Sequence, residues 1–578
     1  MRERLAEAVE EALRTLVREA GGDPAAIPPV ALEVPRQKEH GDFASNAALV
    51  LAKRLGRPPR ELATRLVELL AARPGLVARA EVAGPGFVNV WLAESRWQSL
   101  LGTLLARPAE FGRGDARKGQ RVQVEFVSAN PTGPLSIGHG RQAVLGDCIA
   151  RLLEASGARV TREYYFNNGG RQMRVLGASV KARYLELLGR AAPPPEDALK
   201  DSALPWPESI DGLPVAFPRD GYQGDYIRDI AGSLLREAAD SLVDEPPEGR
   251  FRAEAERVIF AEIKATCRAL GIEFDVYTNE TDLYAEGRID ETLDELRARD
   301  LVYEADGALW LRATSLGLER DRVLVKGTGE PTYLLPDIAY HREKFRRGFE
   351  LVVDVQGADH YGQFPFVRAA AAALGCDPER IQLVMHQFVT LTSGGQTVKQ
   401  STRRATFVTV DEVLEQIGPD VFRFFMIQRR PEAHLDFDLD LARETDWTKN
   451  PAYYVQYAYA RSRGVEREAE RRGVAPPDPD ALDASHLSLP EELELLRKLA
   501  EFPEAVARAA DAREPHHVAY YLRELAGLWN PYLQDGKRHR ILSDDAGLTA
   551  ARLALTRAVA AVLANGLALL GMSAPERM

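Results

Sequence analysis

The sequence is poor in cysteine and has no long apolar run, and both deficits exclude classes of protein. Cysteine occurs only at Cys148, Cys267 and Cys376, without a CxxC pair or a neighbouring pair of histidines. A disulfide framework and a zinc site are therefore unsupported, and a reducing compartment is expected. No stretch approaches the roughly 18 consecutive apolar residues of a membrane span, and the charged start MRERLAEAVEEAL lacks the apolar segment of a signal peptide. We expect a soluble, cytoplasmic protein with no membrane partner and no tightly bound metal.

The chain also lacks an excess of positive charge. Its 578 residues include 74 Lys and Arg against 86 Asp and Glu, which gives a formal net charge of -12. This balance argues weakly against binding nucleic acid over the whole surface, but it leaves room for a local basic groove. The 45% hydrophobic and 28% charged residues are ordinary globular values. The length predicts about three to five domains.

Two familiar phosphate-binding motifs are missing, because neither GxGxxG nor GxxxxGK(S/T) follows a predicted strand. What is present is a strand, a turn and a helix. Residues 121–127 alternate polar and apolar side chains, residues 128–134 break the strand, and an apolar stripe of helical spacing then ends at Gly157. Residues 159–166 predict the next strand. This pattern is typical of the opening βαβ unit of a nucleotide-binding α/β domain.

The flanking regions have different patterns. Residues 1 to about 112 combine a helical stripe at Leu5, Val9, Leu13 and Leu16 with turn-bounded strand patterns, which predicts a mixed α+β module. The proline-rich stretch 192–219 predicts an irregular insertion, and the last 130 or so residues predict an all-α domain.

Three clusters could carry chemistry. Gly138-His139-Gly140-Arg141 lies at a predicted helix N-terminus, where free backbone N–H groups and the helix dipole favour an anion such as phosphate. The alternative is that both glycines serve a tight turn and that His139 is an ordinary surface residue. A second cluster, residues 399–404, follows Ser393-Gly394-Gly395 and has three cations and two hydroxyls. It could close over a polyphosphate, although short basic loops are more often solvated surface.

The third cluster joins residues 332–340 to the segment Gln356-Gly357-Ala358-Asp359-His360. The apolar run 351–353 predicts a buried parallel strand, and ligands bind at the carboxyl ends of such strands. A carboxylate placed there could hold a cationic ligand. For Asp337 the alternative is a plain helix N-cap, since Asp is favoured at that position.

From Val124 to Arg141 the sequence closely resembles the arginyl-tRNA synthetases, which are class I aminoacyl-tRNA synthetases. The resemblance runs nearly end to end. It includes KEHGDFA (38–44), AGPGF (83–87), YLLPDIAY (333–340), GADH (357–360), LDFD (435–438), NPAYYVQYA (450–458) and SAPERM (573–578). It implies an α/β protein with three domains: an N-terminal tRNA-binding α+β module (1–112), a class I Rossmann-type parallel-sheet catalytic domain with an insertion around 185–260 (113–440), and an all-α helical-bundle anticodon-binding domain (441–578).

The resemblance also implies an activity and its residues. The expected reaction is activation of L-arginine by ATP, with Mg²⁺ as part of the substrate complex, followed by transfer to the 3′ end of tRNA(Arg) by a monomer. Asn130 would hold the α-amino and carboxylate end of arginine, and Glu125, Tyr333 and Asp337 would receive the guanidinium, which bidentate carboxylates discriminate well. Gln356 completes the expected arginine site. The expected ATP-binding residues are Gly138, His139, Gly140, Arg141, Gly357, Asp359, His360 and Lys399, and the expected catalytic group is Ser136, His139, Lys399, Ser401 and Arg403.

Two positions depart from the family's pattern. The first signature, His-x-Gly-His, reads Ser136-Ile137-Gly138-His139, and the second, Lys-Met-Ser-Lys-Ser, has Thr402 in place of its second lysine. Losing one preorganised transition-state donor typically costs about 10²–10³ in rate, although neighbouring cations could compensate. The alternative to a working ligase is therefore a synthetase-like paralogue that binds tRNA or arginine without efficient aminoacylation. A third possibility is another amino-acid substrate, such as lysine or citrulline.

Overall fold

The N-terminal part is a small α+β module. The computed structural model describes residues 1–25, 27–35, 37–200, 204–358, 361–397 and 408–578. The apolar stripe of the first helix is fully buried, as its spacing predicts. It packs with two further helices beside an antiparallel sheet of order β1-β2-β4-β3. The elements are α1 (Arg2–Glu19), β1 (Leu32–Glu33), β2 (Phe43–Ser45), α2 (Ala47–Leu55), α3 (Pro59–Ala71), β3 (Val77–Ala83), β4 (Phe87–Leu92), α4 (Glu94–Gln98) and α5 (Leu100–Ala106).

A parallel sheet forms the middle of the chain. Its first half contains the predicted strand, turn and helix and the strand that follows, and these predictions are confirmed. The 192–219 stretch is mostly irregular, with one short helix and a two-residue-per-strand hairpin. The elements are β5 (Arg121–Glu125), α6 (Ile137–Ala155), β6 (Arg159–Phe166), α7 (Gly170–Leu187), α8 (Glu196–Lys200), β7 (Ser209–Ile210), β8 (Leu213–Pro214), α9 (Asp225–Ala238), α10 (Arg252–Ala269) and β9 (Val276–Asn279).

The second half adds two more sheet strands and a small antiparallel sheet. The elements are α11 (Glu280–Ala285), α12 (Arg288–Ala298), β10 (Val302–Ala305), β11 (Ala308–Leu311), β12 (Arg322–Val325), α13 (Leu334–Arg346), β13 (Leu351–Gly357), α14 (Phe364–Ala373), β14 (Ile381–His386), β15 (Val389–Ser393), β16 (Gln396–Thr397), α15 (Val410–Ile427), β17 (Leu435–Asp438) and α16 (Leu439–Arg443). The main sheet has the order β14-β13-β5-β6-β9 with every neighbouring pair parallel. The carboxyl ends of its strands therefore meet at one edge.

The C-terminal region is helical, as predicted, with α17 (Pro451–Arg471), α18 (Pro490–Ala512), α19 (His516–Gln534) and α20 (Ala546–Leu569). In length and composition α20 could cross a membrane, but 67% of its apolar window is buried against the rest of the protein. It is therefore best explained as the core helix of this region. The N-terminal module contacts α18 through an ion pair between Asp42 Oδ1 and Arg497 Nε at 2.7 Å.

Candidate active site

The predicted arginine site lies where β5 ends. Glu125 is the last residue of this central strand, and the chain then turns through Val127 and Ser128, which have φ of 67° and 37°. This turn brings Ser128 Oγ back to donate to Glu125 Oε1 at 2.9 Å, while the same oxygen accepts from the Tyr165 backbone N–H at 3.1 Å. The strand end thus fixes the Glu125 carboxylate at the edge of the sheet.

Two more carboxylates face the same space. Asp337 lies in the first turn of α13, whose N-cap is Tyr333, so Asp337 is not the N-cap that the sequence alternative proposed. Burial, together with the nearby charges of Glu125 and Glu280, raises the pKa of Asp337 to about 7 in spite of the opposing effects of His341 and of a hydrogen bond from Gln363. Burial likewise raises the pKa of Glu280, against the hydroxyl of Tyr165 that donates to it at 3.0 Å. Crowded, poorly solvated carboxylates of this kind favour a bound cation.

A buried lysine, Lys344, forms ion pairs with Glu125 and with a second carboxylate on the neighbouring strand. Lys344 on α13 places its ammonium 2.6 Å from Glu125 Oε2 and 2.7 Å from Asp354 Oδ1 on β13. Burial raises the pKa of Glu125, and the Lys344 ammonium opposes that rise. For Asp354 the same ammonium, together with His341, outweighs burial and holds the pKa well below its usual range. Glu125 is therefore already paired in the free protein, unlike Asp337.

The other predicted arginine-site residues lie at the start of α13, in the turn after β5 and near the carboxyl end of β13. Tyr333 is 55% exposed at the start of α13. Asn130 is exposed in the turn after β5 and donates from Nδ2 to Gln172 Oε1 at 2.7 Å. Gln356 is half-buried near the carboxyl end of β13, and Gly357 ends that strand in register with His386. Asp359 and His360 lie outside the described residues, so their predicted roles stay predictions.

The first signature forms the start of α6. Ser136 is the N-cap, and its backbone N–H donates to His139 Nδ1 at 3.3 Å, with Ser136 Oγ 3.1 Å from the same nitrogen. Because the backbone N–H can only donate, Nδ1 is the accepting nitrogen and the ring proton resides on Nε2. Gly138 lies in the first turn of α6 and has open space where a Cβ would lie, apart from Ser136 Oγ at 3.7 Å.

Two residues of the predicted ATP site have packing roles instead. A Cβ on Gly140 would lie 2.6 Å from the Phe422 ring and 2.9 Å from Val410, so Gly140 permits the contact between α6 and α15. Arg141 is fully buried, and its guanidinium donates to the carbonyl oxygens of Gln387, Arg430 and Ala433 at 2.8–3.0 Å. These contacts turn Arg141 into the protein interior, and we do not retain it as an ATP ligand.

The residues at the start of α15 contact the first signature. Lys399, Ser401, Thr402 and Arg403 lie outside the described residues. Immediately after them, Thr409 forms a β-bridge with Ser136, and the Val410 N–H donates to the Leu135 carbonyl at 2.9 Å. Backbone hydrogen bonds therefore attach the start of α15 to the start of α6.

Sequence reasoning missed Glu280, Tyr165, Gln363 and Lys344. Glu280 directly follows β9, so it lies at the same sheet edge as Glu125. The sequence signal was weak, because the four-residue strand VYTN has no run of apolar side chains.

Comparison with known families assigns the class. Residues 101–193 and 236–420 match the family model "tRNA synthetases class I (R), catalytic domain". Residues 3–92 match "Arginyl tRNA synthetase N terminal domain", and residues 455–578 match "DALR anticodon binding domain". The parallel sheet with a signature at the start of α6, flanked by these two regions, defines a class I aminoacyl-tRNA synthetase.

Relatives then assign the family. The arginine–tRNA ligase of Desulfotalea psychrophila is 47% identical over 547 residues, which cover 95% of this chain and 94% of the relative. The arginine–tRNA ligase of Salinibacter ruber is 48% identical over 575 residues, covering 99% and 100%. The solved arginyl-tRNA synthetase of Thermus thermophilus superposes with a TM-score of 0.70 at 26% identity, over 99% of this chain and 100% of that one. The chain belongs to the arginyl-tRNA synthetase family.

Proposed function

We propose that this chain is a working arginine–tRNA ligase whose guanidinium-binding carboxylates are Asp337 and Glu280, with Glu125 fixed beside them. The observation that carries this proposal is the buried Asp337 carboxylate close to Glu125 and Glu280: burial first, and then the charges of these two carboxylates, raise the pKa of Asp337 to about 7. A planar cation with five donors relieves that crowding and can be bound in bidentate geometry. Family membership supports ligase activity over the synthetase-like paralogue.

In the first half-reaction, an arginine carboxylate oxygen attacks the α-phosphorus of ATP. The new bond gives arginyl-adenylate, and the bond to the β-phosphate bridging oxygen breaks to release pyrophosphate. Asn130, Tyr333 and Gln356 would orient the amino acid from the pocket rim. In the second half-reaction a 3′-terminal hydroxyl of tRNA(Arg) attacks the arginyl carbonyl, and AMP leaves.

The ATP side of the proposal rests on the two signatures. His139 would present its Nε2–H to ATP at the N-terminal end of α6, where the helix dipole favours an anion. Lys399, Ser401 and Arg403 would close over the triphosphate, with Gly357, Asp359 and His360 at the neighbouring strand end. Mg²⁺ would enter with ATP as the substrate complex. These donors act on charge that develops in the transition state.

We further propose a division of labour among residues 1–112, 113–440 with an insertion around 185–260, and 441–578. The first and last regions would bind tRNA, and the middle region would carry the chemistry. We propose a cytoplasmic monomer. The family models at 3–92 and 455–578 support tRNA binding at both ends.

The test is arginine-dependent ATP–pyrophosphate exchange with tRNA present. Exchange with arginine, and not with lysine or citrulline, is the expected result. Replacing Asp337 by Asn should raise KM for arginine about 10- to 100-fold, the value of one charged hydrogen-bond partner, with little change for ATP. Asp300→Asn, which alters a side chain that is 91% exposed, is the matched control. No exchange above background with any of the three amino acids would refute the ligase assignment.

A further inference from the structure

Three acidic residues lie side by side on the sheet beneath α13. Strand register places Glu125 opposite Asp354 on one neighbouring strand and opposite Glu163 on the other. Residues in register on parallel strands point to the same face of a sheet. Glu163, Glu125 and Asp354, here called the carboxylate row, would therefore repel one another in the protein interior unless cations were placed against them.

Helix α13 and its C-cap supply those cations. Lys344 is fully buried and bridges Glu125 and Asp354, at 2.6 and 2.7 Å. Arg347, three residues further along, donates from both terminal nitrogens to the two oxygens of Glu163 at 2.7 Å. One turn therefore carries two cations paired with the carboxylate row, Lys344 fully buried and Arg347 26% exposed. Only the Lys344 pair includes a residue of the proposed arginine pocket.

The Lys344 pair also connects two walls of the pocket. Asp354 Oδ2 lies 2.7 Å from His341 Nε2, and His341 Nδ1 lies 2.8 Å from the backbone carbonyl oxygen of Asp337. Each ring nitrogen of His341 therefore lies within hydrogen-bond distance of an oxygen acceptor. A continuous chain of hydrogen bonds thus runs from Glu125 through Lys344, Asp354 and His341 to the helix turn that carries Asp337.

We propose that Lys344 is a positioning residue for arginine binding: it pairs with Glu125 and orients its carboxylate in the pocket without touching the substrate. This inference rests on the proposed function. Without its ammonium, Glu125 would be a buried carboxylate with only the Ser128 hydroxyl as a described partner, and it would take up a proton or rotate. Site geometry of this kind depends on fixed supporting partners.

Simple charge repulsion and positioning of Glu125 predict opposite effects on arginine binding when Lys344 is removed. Lys344 is a cation close to a site for a cationic substrate, so its removal would strengthen arginine binding if repulsion dominated. If Lys344 positions Glu125, its removal weakens arginine binding. A purely structural role would lower stability and affect both substrates alike.

The test compares Lys344→Met with Arg347→Met in arginine-dependent ATP–pyrophosphate exchange with tRNA. We expect Lys344→Met to raise KM for arginine about tenfold or more, with KM for ATP within about twofold. Arg347→Met removes the other ion pair of the same turn and should leave both values within about twofold. A lower or unchanged KM for arginine in Lys344→Met, or equal changes for the two substrates, would overturn the proposal.

A double variant covers the case in which Lys344→Met does not fold. Glu125→Gln with Lys344→Met leaves no unpaired charge between these two residues. If Lys344 acts through Glu125, the double variant should have the same KM for arginine as Glu125→Gln alone, within about twofold. A further tenfold loss in the double variant would contradict the proposal. Wild-type protein inactive with arginine would instead refute the ligase function itself, so the two failures are distinguishable.

Discussion

Acidification below pH 7 should weaken arginine binding, because the bound guanidinium needs Asp337 as a carboxylate. Burial raises the pKa of Asp337 to about 7. The guanidinium stays charged throughout this range. If only ionised Asp337 binds it, KM for arginine is multiplied by one plus the ratio of protonated to ionised Asp337. That factor is about 1.1 at pH 8, about 2 at pH 7 and about 11 at pH 6.

The assay is pyrophosphate exchange at saturating ATP and tRNA, with arginine varied between pH 6 and 8. Glu280, whose pKa is also raised by burial, acts in the same direction at the acidic end. Asp337→Asn removes the titrating group, so its KM should be high and nearly independent of pH. A wild-type KM constant within twofold over this range, or an unchanged slope in Asp337→Asn, would refute the reasoning.

The raised pKa of Asp337 also makes the stability of the folded protein depend on pH. The pKa of Asp337 is raised from 3.8 to about 7 by folding, so the native protein holds a proton that the unfolded chain has released between these values. The Asp337 contribution to stability therefore falls as pH rises from about 4 to about 7. Arginine, which binds the ionised form, should raise the melting temperature more at pH 8 than at pH 6.

Three further predictions concern the signatures and the tRNA. Ser136→His should lower kcat of activation, because the N-cap beside His139 is lost. Ser136→Thr should keep kcat within about twofold of the wild-type value. Higher activity in the histidine variant would mean that position 136 has lost a catalytic donor. Gly140→Ala should destabilise the protein by about 1–3 kcal/mol in denaturant unfolding, since its Cβ would lie 2.6 Å from Phe422; an unchanged midpoint would contradict that packing role. KM for tRNA should rise at least about tenfold between roughly 50 and 200 mM salt despite the net charge of -12, and a flat dependence would argue against a basic binding face.

Local patterns were sufficient to predict the central βαβ unit. The alternation in residues 121–127 and 159–166 and the stripe between them correspond to β5, β6 and α6. Each of these elements is long enough for its period to be visible in the sequence. The order of the strands in the sheet was beyond such reasoning, because it depends on pairings between distant segments, such as β5 with β13.

In the arginine pocket, too, side-chain contacts between distant segments could not be predicted from local sequence. Glu125, Asn130, Tyr333 and Asp337 were predicted through the family resemblance. Lys344 was not, because its partner Glu125 is 219 positions away and nothing near Lys344 in sequence marks it as buried. A lysine on a helix is ordinarily solvated, so only the strand register identifies the carboxylates that hold this one.

The serine at the first signature position has a specific place in the structure. Its backbone N–H fixes the accepting nitrogen of His139, and its β-bridge to Thr409 joins the start of α6 to the residue before α15. Any residue could make these backbone bonds, but the hydroxyl 3.1 Å from His139 Nδ1 and the preference of helix N-caps for serine are specific to the side chain. A histidine in the same place would have to leave the cap in order to reach a phosphate. The pocket is therefore better explained as adapted around Ser136 than as lacking a donor, and this is why Ser136→His is expected to lower activity.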